Sequence, residues 1–249
     1  MSPDHPGEAP ARDPGPSETP HETLGRAVRA MTVETLSARR TPEAAAEAGR
    51  VSLEMAEAAF ARLRRDHEAV EREVSALPCR KYCAHCCYKT VSATPAEVLY
   101  LAARVDSEFA VKALAKLKAR LRDLDARTRG MSPVERGRAR LPCALLVARL
   151  CTAHGARPAA CRGFNSRDVN ACIRSLRQRE TPIPVFLAQY RIFGHAHLGL
   201  AAGLADCGLR STRVELTPAL RIALETPDAG TRWLAGEPVF RPAELPPGM

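Results

Sequence analysis

The chain has 249 residues, a net charge of +9 and 45% hydrophobic residues, the length and apolar content of a globular protein with a real core. Aromatics make up only 4%, so Leu, Ala and Val must fill most of the interior. The basic charge is Arg spread along apparent helices, with no basic run interleaved with aromatics; it permits an acidic protein partner but carries no specific nucleic-acid signal.

Residues 1–21 are rich in Pro, Gly, Ser, Asp and Glu and nearly free of large apolar side chains. They cannot bury enough surface to offset the entropy of ordering and are expected to be disordered. They also lack the apolar centre of a secretory signal, which makes the cytoplasm the expected location. Thr23 to Arg40 has a loose helical face of Leu24, Val28, Met31 and Leu36. Thr41-Pro42-Glu43-Ala44 reads as a helix start. From Val51 to Leu77 the apolar residues recur at helical spacing without Gly or Pro, which predicts one long amphipathic helix. His67 falls on its stripe and is expected to pack at a helix interface.

Past the first cysteines, Tyr88 to Ala93 is expected to be extended. Thr94-Pro95-Ala96-Glu97 then has the form of a capping box. A further helix is expected from about Asp106 to Arg127, stopped by Gly130, with a short one begun by Ser132-Pro133. Arg167 to Glu180, Thr181 to Asp206 and Leu216 to Glu225 read as helices, Trp233 to Phe240 as irregular packing, and 241–249 as a flexible tail. Val185 to Ala205 is apolar but interrupted by Gln189, Arg191, His195 and His197, so it predicts a buried helix and no membrane span. No alternating strand pattern of any length is present. The expected fold is mostly α: an irregular helical domain whose cysteine-rich loops surround a metal. Its parts are N-terminal helices over 22–78 and a cysteine-cluster domain over 79–240.

Four of the nine cysteines, Cys79, Cys83, Cys86 and Cys87, lie within nine residues; Cys143, Cys151, Cys161 and Cys172 follow, and Cys207 stands apart. In a reducing compartment such density points to metal or redox chemistry rather than disulfides. Cys83-x2-Cys86 lets two thiolates approach one ion from a tight turn. The adjacent Cys86 and Cys87 are harder to fit onto one tetrahedral ion, and easier if one of them serves a second metal. The later intervals do not match a zinc ribbon and suit ligands that converge from separate turns. Eight thiols satisfy two four-thiolate sites, or one site with auxiliary thiols. Arg80, Lys81 and Lys89 favour the thiolate form. His85 and His154 read as neighbours of the ligands, and Cys207 as a packed side chain.

Cys79-x3-Cys83-x2-Cys86-Cys87, then Cys143-Ala-Leu-Leu, then Cys151-x5-Arg157-Pro158-x2-Cys161-Arg162-Gly-Phe164, resembles the YkgJ-type cysteine-cluster (CxxCxxCC) family of zinc- or iron-chelating domains, to which flagellin lysine N-methylase is related. The resemblance runs from Cys79 to about Phe164. It departs from the family pattern in its first interval, three residues instead of two, and in having His154 where the family often has an aromatic. It implies metal-ligand roles for Cys83, Cys86, Cys87, Cys143, Cys151 and Cys161, and for Cys79. Arg157 and Arg162 are candidate cofactor-binding residues, able to offset the charge of the thiolates.

The leading expectation is a cysteine-ligated metal protein. The excess of thiols over four favours an iron–sulfur cluster, [4Fe–4S], over zinc. One alternative is a metal-dependent protein lysine methylating enzyme, against which stands the lack of a glycine-rich strand-to-helix loop. Cys79-x3-Cys83-x2-Cys86 also has the spacing of a radical-enzyme motif, but the chain is too short and too helical for that barrel. The other alternative is a zinc-stapled module that binds an acidic partner through its arginines.

Overall fold

The computed structural model describes residues 19–177 and 181–246, so most of the segment expected to be disordered, residues 1–18, lies outside the described residues. Helix α1 (Pro20–Ala38) begins just inside that segment, because Thr19, Pro20 and Glu22 together form a proline-led capping box. Helix α2 (Pro42–Asp66) starts where Thr41 accepts the Ala44 N–H at 3.3 Å.

The single long helix expected up to Leu77 breaks at His67, which is extended (φ −133°) and exposed rather than packed at an interface. The short α3 (Glu68–Ala76) that follows has no fully buried residue; Val70 and Val74 pack against the core only in part. Arg64 grips Glu71 across the bend with bonds of 2.7 and 3.0 Å.

Helix α4 (Pro95–Glu108) has the expected capping box at Thr94 and Glu97. The run expected from Asp106 divides at Phe109-Ala110, and α5 (Val111–Thr128) begins after it. There follow α6 (Pro133–Arg138), α7 (Ala159–Gly163) and α8 (Val169–Arg177). The last three residues of the helix expected over 167–180 lie outside the described residues.

Helix α9 (Leu187–Asp206) starts six residues later than expected. Pro182 and Pro184 disfavour helix in the residues before them, and the chain there pairs with 165–167 instead. Pro184 C=O accepts the Arg167 N–H, and Asn165 C=O accepts the Phe186 N–H, each at 2.8 Å. After α10 (Leu216–Glu225), α11 (Ala229–Leu234) reaches two residues into the stretch 233–240, the rest of which is irregular as expected; Trp233 is buried and its indole N–H bonds Arg210 C=O at 3.0 Å. The expected tail is packed as far as Leu245: Ala243 is buried, and the Leu245 N–H bonds Arg213 C=O at 2.9 Å.

Strand among the described residues is confined to four two-residue pieces: β1 (Ser92–Ala93), β2 (Leu146–Val147), β3 (Leu150–Cys151) and β4 (Val214–Glu215). β1 pairs antiparallel with β4, Ser92 opposite Glu215, and β2 with β3, Leu146 opposite Cys151. The protein is thus mostly α, and none of its described helices is long and apolar enough to cross a membrane.

The frame is built by close helix contact. α1 lies along α9, α2 packs on α4 and α9, and α10 covers α4 and α5. Gly199 sits against α1 so closely that a Cβ there would stand 2.2 Å from Gly25 O, and one at Gly49 would stand 2.6 Å from Ala96 O. With aromatics scarce, backbones approach over glycine and alanine rather than over large side chains. Helices before and after residue 78 share one continuous core, from Val28 to Ala243.

Candidate metal centre

The cysteine segments are mostly loops, so their backbone hydrogen bonds need partners outside regular structure. Cys83 N–H bonds Arg80 C=O at 2.9 Å, and Cys87 N–H bonds Ala84 C=O at 3.0 Å, in a 3₁₀ turn over His85–Tyr88. Cys87 C=O in turn accepts the Cys143 N–H at 2.7 Å, which fastens the first cysteine segment to the second. Cys151 is placed by the β2–β3 hairpin and Cys161 by α7, which Pro158 introduces. Cys172, on α8, comes back against the 3₁₀ turn. Cys79 reaches the same region through Ser166: its Sγ accepts the Ser166 N–H at 3.3 Å and faces Ser166 C=O at 3.7 Å. All nine cysteines are free thiols.

Arginines supply much of what regular structure does not. Arg120 donates to Ala144 C=O (2.8 Å) and Arg136 to Leu141 C=O (3.1 Å), on either side of Cys143. Arg149 donates to Tyr82 C=O (3.1 Å), tying the hairpin to the first cluster. Arg140 reaches Arg177 C=O (3.1 Å) at the end of α8. Arg157 donates to His154 C=O (3.1 Å), and Arg162 to Arg157 C=O (2.7 Å), to Gly155 C=O and to Glu57 of α2. Arginines that read in the sequence as a solvated surface are therefore in good part loop fasteners. Four of the five non-glycine residues with positive φ among those described, Tyr82, Arg140, Ala148 and Arg149, also fall one to three residues before a cysteine.

The electrostatics follow from burial and proximity. Cys87 donates its S–H to Cys86, and with Arg157 and Lys89 nearby this draws the Cys86 thiol down to about 6. The same bond, with burial, pushes Cys87 up. Burial raises Cys143 to about 11 and also raises Cys161, Cys151, Cys79 and Cys172. Cys161 senses Cys143, Cys86 and Cys151, while Cys79 senses Cys83, Cys172 and Cys86. Burial and mutual proximity thus work against ionisation at Cys79, Cys87, Cys143, Cys151, Cys161 and Cys172 and favour it at Cys86.

The eight cysteines singled out in the sequence, Cys79, Cys83, Cys86, Cys87, Cys143, Cys151, Cys161 and Cys172, thus share one region. Cys207 ends α9 instead, beside Arg40 and Asp206. Arg157 faces the sulfurs and acts on Cys86, Cys151 and Cys161. Arg162 is engaged with Glu57 and loop carbonyls. His154 is exposed, and burial together with Arg157 and Arg162 lowers its pKa.

Two carboxylates that sequence reasoning passed over also belong to this region. Glu97, 1% exposed, does more than cap α4. Its Oε1 accepts the Ala159 N–H at 2.8 Å, at the start of the helix that carries Cys161. Its Oε2 accepts the Thr94 N–H at 2.7 Å and lies 3.1 Å from His197 Nδ1 on α9. Burial acts to raise this carboxyl, but His197 and the N–H donors outweigh it and hold it below its usual range. The capping-box spacing was the signal that could have drawn attention to it. Glu215, pushed up to about 7 by burial against the pull of Arg136, stands close enough to Cys143 to act on it.

Among the described residues, no three His, Cys, Asp or Glu side chains are already drawn together as a metal-holding group. The donor set fits a thiolate-bound metal in kind: converging soft sulfurs, half-buried, with Arg157 and Lys89 close by. Binding would have to close the sulfurs around the ion and release their protons.

Residues 78–180 match the family model CxxCxxCC, described as "Putative zinc- or iron-chelating domain". The match extends past Phe164 to take in Cys172. No curated protein matches the chain, and no solved structure does. Over residues 78–180 the chain is therefore similar to the CxxCxxCC family, and this stretch is set within a larger helical frame.

Proposed function

We propose that this protein chelates zinc or iron through the thiolates of its cysteine loops, and that the metal centre is an iron–sulfur cluster held in a reducing, cytoplasmic compartment. The observation that carries the metal reading is the hydrogen bond of Cys143 N–H to Cys87 C=O, which brings two distant cysteine segments together inside the family-matched region. The iron–sulfur reading is supported by the donor set, which holds more sulfurs than a single zinc ion needs.

The chain's own residues have definable parts in this reading. The eight cysteines supply sulfur. Arg157 and Lys89 offset the accumulating negative charge, and Arg120, Arg136 and Arg149 hold the loops in reach of one another. An iron–sulfur cluster would supply one-electron chemistry when bound; zinc would act as a structural staple. No observation favours methyl transfer, since the described strands are two-residue ladders that build no nucleotide-binding sheet.

Anaerobic purification of the full chain, followed by an absorbance spectrum and metal and sulfide analysis, tests the reading. Broad absorbance near ~400 nm with iron and sulfide is the expected result. Zinc without sulfide would remove the iron–sulfur reading and keep chelation; absence of both metals after reconstitution would remove chelation itself.

A further inference from the structure

We propose that the cleft between α2, α7 and α9 binds a small organic anion, a single carboxylate or phosphoryl group on a flat apolar body, with Arg157 holding the anionic head and Phe60 and Phe193 backing the body. The proposal does not depend on the metal reading above.

The cleft has a volume of about 250 Å³, just below the roughly 300–1,000 Å³ of sites that take drug-sized molecules. Its walls are braced against one another. Arg162 of α7 binds Glu57 of α2. Gln189 of α9 donates its Nε2–H to Arg162 C=O at 2.9 Å. α7 lies so near α9 that a Cβ at Gly163 would stand 3.0 Å from Phe193 Cβ. Phe60 of α2 meets Phe186, at the start of α9, edge to face with ring centroids 6.2 Å apart. A cleft fixed in this way has little order to lose when a ligand enters.

The lining carries both chemistries that such a ligand needs. The guanidinium groups of Arg64, Arg157 and Arg162 all line the cleft. Arg162 is engaged by Glu57 and two loop carbonyls, and Arg64 by Glu71 at 2.7 and 3.0 Å. Arg157 engages only its Nε, donated to His154 C=O at 3.1 Å. Among the described residues its two Nη groups meet no acceptor, and no carboxylate pairs with it. It acts on Cys86 through space, without a hydrogen bond. The cleft is thus left with one guanidinium whose paired N–H donors match the oxygens of a carboxylate or a phosphate. The apolar part of the lining is Phe60 and Phe193, both largely buried, with Arg64 over the Phe60 ring at 5.9 Å. A flat apolar body would cover what remains exposed of those rings.

The test is a ligand-observed NMR titration of the full chain, purified anaerobically, with benzoate, phenyl phosphate and neutral benzamide at fixed ionic strength. Benzoate or phenyl phosphate should bind saturably, and benzamide roughly tenfold more weakly or worse, since it lacks the charge that Arg157 meets. The tighter of the two anions tells a carboxylate preference from a phosphoryl one. Arg157→Gln should weaken the anion by a similar factor.

Because Arg157 also fastens a cysteine loop, a second variant leaves the loops untouched. Ala61→Glu, on the α2 wall of the cleft, places a carboxylate where the anion would sit and should abolish binding. Arg72→Ala, which breaks an exposed pair with Glu68, should leave binding unchanged. Circular dichroism checks that each variant keeps its helices. No saturable binding of either anion, benzamide binding as tightly as the anions, or anion binding that survives Ala61→Glu overturns the proposal. Metal content of the same preparations tests chelation separately, so the two readings fail independently.

Discussion

The α1–α9 pair and the cysteine loops solve the problem of holding a chain in place in opposite ways. Along α1 and α9 the backbone satisfies itself within the helices, and the two elements meet over glycine, Gly199 against Gly25. In the loops around Cys83, Cys143 and Cys151, carbonyls are satisfied by guanidinium groups from elsewhere in the chain, and residues such as Tyr82 and Ala148 adopt φ of 71° and 48°. The frame owes its stability to shape and apolar burial, the loops to directed polar bonds. A metal would therefore add far more to the loops than to the frame, since a bound ligand stabilises what it touches.

The sharpest break in that comparison is a side chain at Gly199. Gly199→Val drives a Cβ into the Gly25 carbonyl and should cost about 3 kcal/mol or more, measured by denaturant unfolding of the metal-free chain. Equal stability would mean that the α1–α9 approach is not what holds the frame.

A fastener of the loops should come next. Arg136 is 4% exposed, donates to Leu141 C=O and lies near Glu215. Arg136→Met leaves that carbonyl and carboxyl without their cation and should cost about 2 kcal/mol, with weaker retention of metal. Arg72→Ala, which breaks an exposed pair with Glu68, should change stability by under ~0.5 kcal/mol and leave metal content unchanged. If both variants behave alike, the arginines at the loops are ordinary surface charge.

The remaining expected effect is a gain. Ala148→Gly removes a left-handed alanine at the β2–β3 turn and should stabilise the metal-free chain by up to about 1 kcal/mol, the relief of strain being partly cancelled by the entropy of glycine. A clear loss on denaturation would show that the hairpin is not strained.

Much of the frame was legible from local signals. Thr41-Pro42 and the Thr94 to Glu97 capping box mark helix starts where the structure has them, because a cap needs only neighbours three residues away. The break at His67 and the late start of α9 were not legible. At the first, α3 packs on the core only in part; the second depends on residues 181–186 pairing with 165–167.

The candidate site divides in the same way. The density and spacing of the cysteines, with Arg157-Pro158 and Cys161-Arg162, were enough to point to the resemblance to a chelating family that the match over 78–180 bears out. That Cys87 meets Cys143, that Cys79 meets Ser166, that Glu97 holds the Cys161 helix, and that arginines secure the loops were decided only by the tertiary structure. These contacts join residues far apart in the chain, and no periodicity or cap encodes where a chain will return to itself.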